Sequence, residues 1–205
     1  MRTTLFLLLG YLSGSVLYAR VFARVFGKED MLDKSPDGNP GAANAFHYGG
    51  FLCGTLTLFC DLIKGFLPVF LFQHGAFPVG GDFSFSVSLV MAAPVVGHAF
   101  PLFFRFRGGK GIAATFGCLL GLIPLWQPFV LLALFFILFS VVLVVTPNYY
   151  KTFAAFLCAL CSVLFFSPSG AATVGFFIIT SVVLLRMLLS KEEKEKLEVK
   201  FFWMH

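Results

Sequence analysis

The chain alternates long hydrocarbon runs with short polar interruptions, and the interruptions carry most of its charge. Apolar runs cover residues 3–19, 51–72, 83–104, 112–125, 129–145, 152–166 and 171–185. Runs of this length read as membrane helices rather than buried strands. They predict an all-α integral membrane protein, a bundle of about seven transmembrane helices. Residues 152–166 are short for a crossing at ~1.5 Å per residue, although Ser167, Pro168, Ser169 and Gly170 mark a turn after them. Ser13, Gly14 and Ser15 suit close helix contact, and Pro68 predicts a kink in the outer half of the second run.

Charge then sets an orientation. Arg20 and Arg24 follow the first run, which is read as a retained span, so the N-terminus faces outward. The loop 73–82 has no Lys or Arg, as expected outside. With seven crossings, every Lys and Arg except Arg2 and the intramembrane Lys64 falls on the cytoplasmic side, and so does the C-terminus. Residues 1–190 read as one seven-helix domain and 191–205 as a cytoplasmic interfacial tail. In that tail, residues 191–200 are expected to be helical, with Phe201, Phe202 and Trp203 at headgroup level.

Composition narrows the class further. A hydrophobic content of 59%, 29 Phe and a mean hydropathy of +0.91 exclude an ordinary soluble domain. A net charge of +5 would suggest nucleic acid in a soluble chain, but here the cations sit at the ends of apolar runs. Membrane lipids, and no nucleic acid, are the expected surroundings. The five cysteines all lie in apolar runs and read as packing residues. Cys158 and Cys161 form a C-x-x-C without a second pair or a histidine cluster, which argues against a zinc or redox site.

The chemistry concentrates in residues 97–111, where His98, Arg105, Arg107 and Lys110 cluster around Gly108, Gly109 and Gly111. Glycines let backbone N–H groups approach an anion, and a helix starting at Ile112 would aim its positive end at the same spot. With the Lys110 ammonium this makes a phosphate-sized cradle. Gly111 follows the lysine where a nucleotide loop needs Ser or Thr, so an ATPase reading loses its support. Cations at the end of an apolar helix also serve simply as topology signals.

Two further segments share the cytoplasmic side or the membrane beside it. Residues 27–50 hold Asp37, Gly38, Asn39, Asn44 and His47, and read either as a connector or as the polar rim of a site. Asp61 and Lys64, spaced i, i+3 within a span, read as a mutually neutralised pair or as cavity-lining groups.

These residues resemble the bacterial membrane glycerol-3-phosphate acyltransferases that use acyl phosphate as donor. That family's patterns, roughly GSGNxGATNxxR, DxxKG and GHxFPxFxxFxGGKG, have matches in Gly38-Asn39-Pro40-Gly41-Ala42-Ala43-Asn44, in Asp61-Leu62-Ile63-Lys64-Gly65 and in residues 97–111. The resemblance implies a multi-pass protein of a bacterial plasma membrane with its active face cytoplasmic. It implies transfer of an acyl group from acyl phosphate to glycerol 3-phosphate, giving lysophosphatidic acid for phospholipid synthesis. No cofactor or metal is expected. Lys110, Asp37, His47 and Ser35 are the catalytic candidates; Gly38, Asn39, Asn44, His98, Gly108, Gly109, Gly111 and Lys64 are the substrate-binding candidates.

The chain also departs from the pattern. The family serine falls on Asp37, the threonine on Ala43 and the arginine on His47, with Ser35 two residues before Asp37. A later family motif with His, Asn and Arg before a Glu is not recognisable around Arg186. Two readings follow: an acyltransferase in which Asp37 and His47 act as an acid/base pair, or a divergent binder of lipid precursors that keeps the cradle without turnover. An anion transporter is a weaker third class, since inverted repeats are not evident.

Overall fold

The computed structural model describes residues 1–75, 83–190 and 196–201. Most of the outward loop expected at 73–82 lies outside the described residues, as do 191–195, Phe202 and Trp203 of the tail. The fold is helical: α1 (Arg2–Gly14), α2 (Tyr18–Val25), α3 (Ala42–Gly49), α4 (Phe51–His74), α5 (Phe83–Ala99), α6 (Ile112–Leu120), α7 (Gln127–Ile137), α8 (Asn148–Phe166) and α9 (Gly170–Leu188). Strands β1 (Leu143–Thr146) and β2 (Glu198–Phe201) add one antiparallel ribbon.

Five helical stretches are long and apolar enough to cross a bilayer: Arg2–Val25, Phe51–His74, Ser84–Phe104, Asn148–Phe166 and Gly170–Leu188. The protein is therefore a multi-pass membrane protein. Two of the seven expected crossings come out shorter. Gln127–Val142 is an apolar helix below spanning length, and α6 has only nine residues, about 14 Å at ~1.5 Å per residue. The stretch from residue 152, expected to be short, gains Asn148, Tyr149, Tyr150 and Lys151, which continue the helix instead of forming a turn.

Two other expectations are corrected by the structure. The first run is a helix broken at residues 15–17, with Leu17 extended before α2. The tail is not helical at its described end: Glu198 pairs with Thr146 and Phe201 with Leu143. Leu143-Val144-Val145-Thr146 is rich in β-branched residues and is cut off by Pro147, so it offers an extended edge to a second strand.

α5 is the central helix. Its apolar window is 67% buried, against 28–39% for the other four crossings, and it packs on α1, α4, α6 and α9. Small residues bring its partners close. A Cβ on Gly14 would lie 2.1 Å from the Pro94 carbonyl oxygen, so α1 and α5 meet backbone to backbone there, as Ser13-Gly14-Ser15 predicted. α4 and α6 meet the same way, Gly65 against the Ala114 carbonyl and Gly117 against that of Leu62. The cation at the start of α1 is absorbed locally: Arg2 donates to the Leu71 and Phe72 carbonyls near the end of α4 and lies 5.0 Å over the Phe72 ring.

The α4–α6 contact matters because α6 carries the glycine loop on its N-terminus. Gly117→Leu would drive a side chain into the Leu62 carbonyl, a rigid atom 2.0 Å from the new Cβ, and should cost about 3 kcal/mol. Thermal unfolding in detergent will show this as a lowered midpoint. Gly170→Ala, whose Cβ would meet nothing within 4 Å, should stay within about 0.5 kcal/mol of the parent.

Candidate active site

The site grows from two loops that bind each other. In the first, the Asp37 carboxylate accepts three hydrogen bonds on Oδ1: from Ser35 Oγ (2.7 Å), Asn44 Nδ2 (2.7 Å) and the Asn39 N–H (3.1 Å). The last closes a tight turn over Gly38, whose φ of 58° suits glycine. Asn44, from the first turn of α3, also donates to Ser35 Oγ and the Asn39 carbonyl, locking the loop onto that helix. In the second loop, Gly109 donates its N–H to the His98 carbonyl, and Gly111 takes a φ of 79° to turn into α6.

Lys110 joins the two. Its backbone N–H donates to Asn39 Oδ1 (3.1 Å), and its ammonium lies 3.1 Å from Asp37 Oδ2. Gly108 and Gly109 permit this approach, since added Cβ atoms would fall 1.9 Å from the His98 carbonyl oxygen and 2.4 Å from His98 Nε2. Burial raises the Asp37 pKa. The hydrogen bonds from Asn44 and Ser35, the Lys110 charge and the Asn39 N–H outweigh it, and hold the carboxyl below its usual range. At neutral pH Asp37 is thus an anion facing a cation.

Behind the loops lies a buried polar relay. Lys64 Nζ donates to the Val16 carbonyl (2.7 Å), which the break between α1 and α2 exposes, and to His98 Nδ1 (2.8 Å), with Asp61 Oδ1 as counter-charge at 2.6 Å. As an ammonium Lys64 has only donors, which assigns His98 Nδ1 as acceptor and the ring proton to Nε2, the nitrogen next to Gly109. The two readings of the Asp61–Lys64 pair merge: it is neutralised internally, and it orients a histidine that lines the site.

Two adjoining cavities, of 550 and 230 Å³, share Asn39, Ala43, Lys110 and Ile112 on their walls. Asp61 and His98 line the smaller; Asp37, Asn44 and His47 line the larger. The first turn of α6 has no side-chain cap, and Ile112 and Ala113 of that turn line the smaller cavity together with Lys110. Every named candidate gathers in this region, with differences of depth. Ser35 is buried behind Asp37, and Lys64 stands behind His98 rather than on the walls of these two cavities. His47 is an exposed wall residue, stacked edge-on against Tyr48, and the Asp37 hydrogen bonds go elsewhere.

Two features differ from the sequence reading. Arg105 and Arg107 do not join the cradle: both are exposed and line neither cavity, and Arg105 and Phe106 adopt left-handed φ values of 51° and 60°. Arg186 does join it. From the last turns of α9 it donates Nη2 (2.6 Å) and Nε (3.2 Å) to the Gly108 carbonyl. A forked donor on one carbonyl fixes the loop's peptide plane. An arginine ending an apolar helix reads as a topology signal, so nothing in its neighbours flagged this contact.

Comparison with known proteins places the chain in a fold and a family. Over 133 residues the chain is 40% identical to a glycerol-3-phosphate acyltransferase of Methylobacillus flagellatus, a match covering 65% of each chain. It is 38% identical over 131 residues to one of Endomicrobium trichonymphae, covering 64% of this chain and 62% of the relative. These matches thus span less than two thirds of the relatives' own lengths. Two crystal structures of PlsY (YgiH), an integral membrane glycerol 3-phosphate acyltransferase, in a glycerol 3-phosphate form and a lysophosphatidic acid form, share the fold. Their TM-scores are 0.75 and 0.72 at 23% identity, over 92% and 91% of this chain and 90% and 88% of theirs. The family model for glycerol-3-phosphate acyltransferase matches residues 4–196, nearly the whole described bundle, and the chain belongs to that family.

Proposed function

We propose that this protein transfers an acyl group from acyl phosphate to glycerol 3-phosphate, releasing lysophosphatidic acid and inorganic phosphate. The observation that carries this reading is the position of Lys110: an ammonium on a glycine loop, beside the uncapped first turn of a helix, paired with a carboxylate and lining two adjoining cavities. The relatives' names and the glycerol 3-phosphate and lysophosphatidic acid forms of the fold's neighbours support the same substrates.

In this reading the acceptor's phosphate takes Lys110 and the first N–H groups of α6, with His98 Nε2–H as a further donor. The acceptor hydroxyl attacks the acyl carbonyl; the new C–O bond forms as the bond to the phosphate oxygen breaks, and the phosphate leaves with its electron pair. Asp37 is placed to take the hydroxyl proton. Its low pKa makes it a weak base, which suffices because acyl phosphate is already activated and positioning supplies much of the rate. Asn44 and Ser35 hold Asp37, and Asn39 and Gly38 shape the turn that presents it. His47, without a hydrogen bond to Asp37, serves as a wall of the larger cavity.

The topology we propose has seven crossings, with the N-terminus outside and the C-terminus cytoplasmic, in a bacterial plasma membrane. α6 and α7 complete the bundle, residues 1–190 form one domain and 191–205 follow it as a tail. The distribution of Arg20, Arg24, Lys110, Lys151 and Arg186 supports it.

Purified protein supplied with acyl phosphate and glycerol 3-phosphate should produce lysophosphatidate, detected by mass spectrometry. No product from well-folded protein would leave the binder reading in its place. Lys110→Met should lower kcat/KM for glycerol 3-phosphate by about 10²-fold or more, the scale for removing one charge-stabilising donor. Asp37→Asn should slow transfer and flatten its acid limb. Because the folded pKa of Asp37 is depressed, the Lys110 contact and the stability it contributes persist at neutral pH and are lost as pH falls below the usual carboxylate range. Arg186 acts through Gly108, so Arg186→Met should raise the KM for glycerol 3-phosphate more than it lowers kcat, and Arg186→Lys should recover only part of that because it lacks the fork. Equal loss of stability and of both constants in the two variants would reduce Arg186 to a structural role.

A further inference from the structure

The larger cavity has charge left over after the Asp37–Lys110 pair is counted. Its walls include Asp37, Lys110, Lys151 and the ionisable His47. Asp37 and Lys110 face each other at 3.1 Å and largely cancel. Lys151 reaches the cavity from the first turn of α8, flanked there by Asn148 and Thr152. Among the described residues it has no acidic partner and no side-chain hydrogen bond, and the first turn of α8 contains no Asp or Glu. Its position is electrostatically unfavourable. A half-buried ammonium sits at the positive end of a helix, where an anion would be stabilised. An anionic ligand in the cavity would complement a cation held there.

We propose that Lys151, with Asn148 beside it, forms a second phosphoryl subsite in the 550 Å³ cavity, separate from the Lys110 cradle. This rests on the proposed reaction, which brings two phosphoryl groups together, one on the donor and one on the acceptor. One ammonium already engaged by Asp37 cannot balance both, and Lys151 supplies the second positive charge from a different helix. The ligand is the phosphoryl group of a monoester or acyl phosphate; which substrate carries it is decided by the experiment.

Steady-state kinetics of Lys151→Met, Lys151→Gln and Lys151→Arg, each checked for an unchanged thermal midpoint, provide the test. The neutral variants should raise the KM of one phosphoryl substrate by about tenfold or more, the scale of one charge-assisted hydrogen bond. The KM of the other should change by no more than about threefold, and Lys151→Arg should stay near the parent. A raised KM for acyl phosphate, with weakened inhibition by inorganic phosphate, assigns the subsite to the donor. A raised KM for glycerol 3-phosphate assigns it to the acceptor. Unchanged KM values for both substrates, together with unchanged phosphate inhibition, overturn the subsite.

A parent protein without turnover would refute the proposed reaction alone. The subsite is then read by calorimetric titration with inorganic phosphate. Weaker binding by folded Lys151→Gln than by the parent supports it; equal binding, or none by either protein, overturns it.

Discussion

The site depends on one contact between two loops far apart in sequence, the clasp of Lys110 on Asp37 and Asn39. Its two halves do different work. The backbone half, Lys110 N–H to Asn39 Oδ1, is neutral and geometric, and it sets how deeply the glycine loop sits over α3. The side-chain half is ionic, and in the proposed reaction the acceptor's phosphate competes with the Asp37 carboxylate for the same ammonium. A pre-formed loop holding a replaceable counter-charge accommodates an anionic substrate with little rearrangement of the backbone.

What holds that clasp in place is spread over three helices and the break between α1 and α2. α5 supplies the His98 carbonyl beneath Gly109, and α9 supplies Arg186 to the carbonyl of Gly108. α4 supplies Lys64, which orients the His98 ring, and the break after α1 supplies the Val16 carbonyl that receives Lys64. Lys64 is only 4% exposed. A charge buried to that degree is costly without partners, so the helix break and the Asp61 carboxylate are conditions of its being there. The glycine loop is consequently tied to the packing of the bundle through its own backbone groups. Gly65, Gly117 and Gly14 serve the same end by letting α1, α4, α5 and α6 approach closely enough for these short bonds to form.

The departures of the first motif look different once the loop is seen folded. Asp37 in place of a hydroxyl residue brings a negative charge next to Lys110, and Ser35, although two residues away, returns a hydroxyl to the same cluster through its bond to Asp37. His47 stands where the family pattern has arginine, and Lys151 adds a cation to the same wall from α8. Polar groups are thus present near the substituted positions, Ser35 behind Asp37 and Lys151 on the wall of the larger cavity.

The sequence by itself determined the solvent this protein lives in, most of its long helices and the two segments whose candidate residues the fold brings together. Those are local properties: hydropathy is summed over consecutive residues, helix breaks follow Pro and Gly, and the motifs are contiguous. Tertiary structure alone decided the partners. Arg186 and Lys151 look like topology charges in a linear reading, and only packing sends one to the Gly108 carbonyl and the other to the cavity wall. The break after Gly14 and the pairing of β1 with β2 belong to the same class. Each forms to satisfy a polar group or backbone edge contributed by a segment distant in sequence, and no window of neighbouring residues contains that demand.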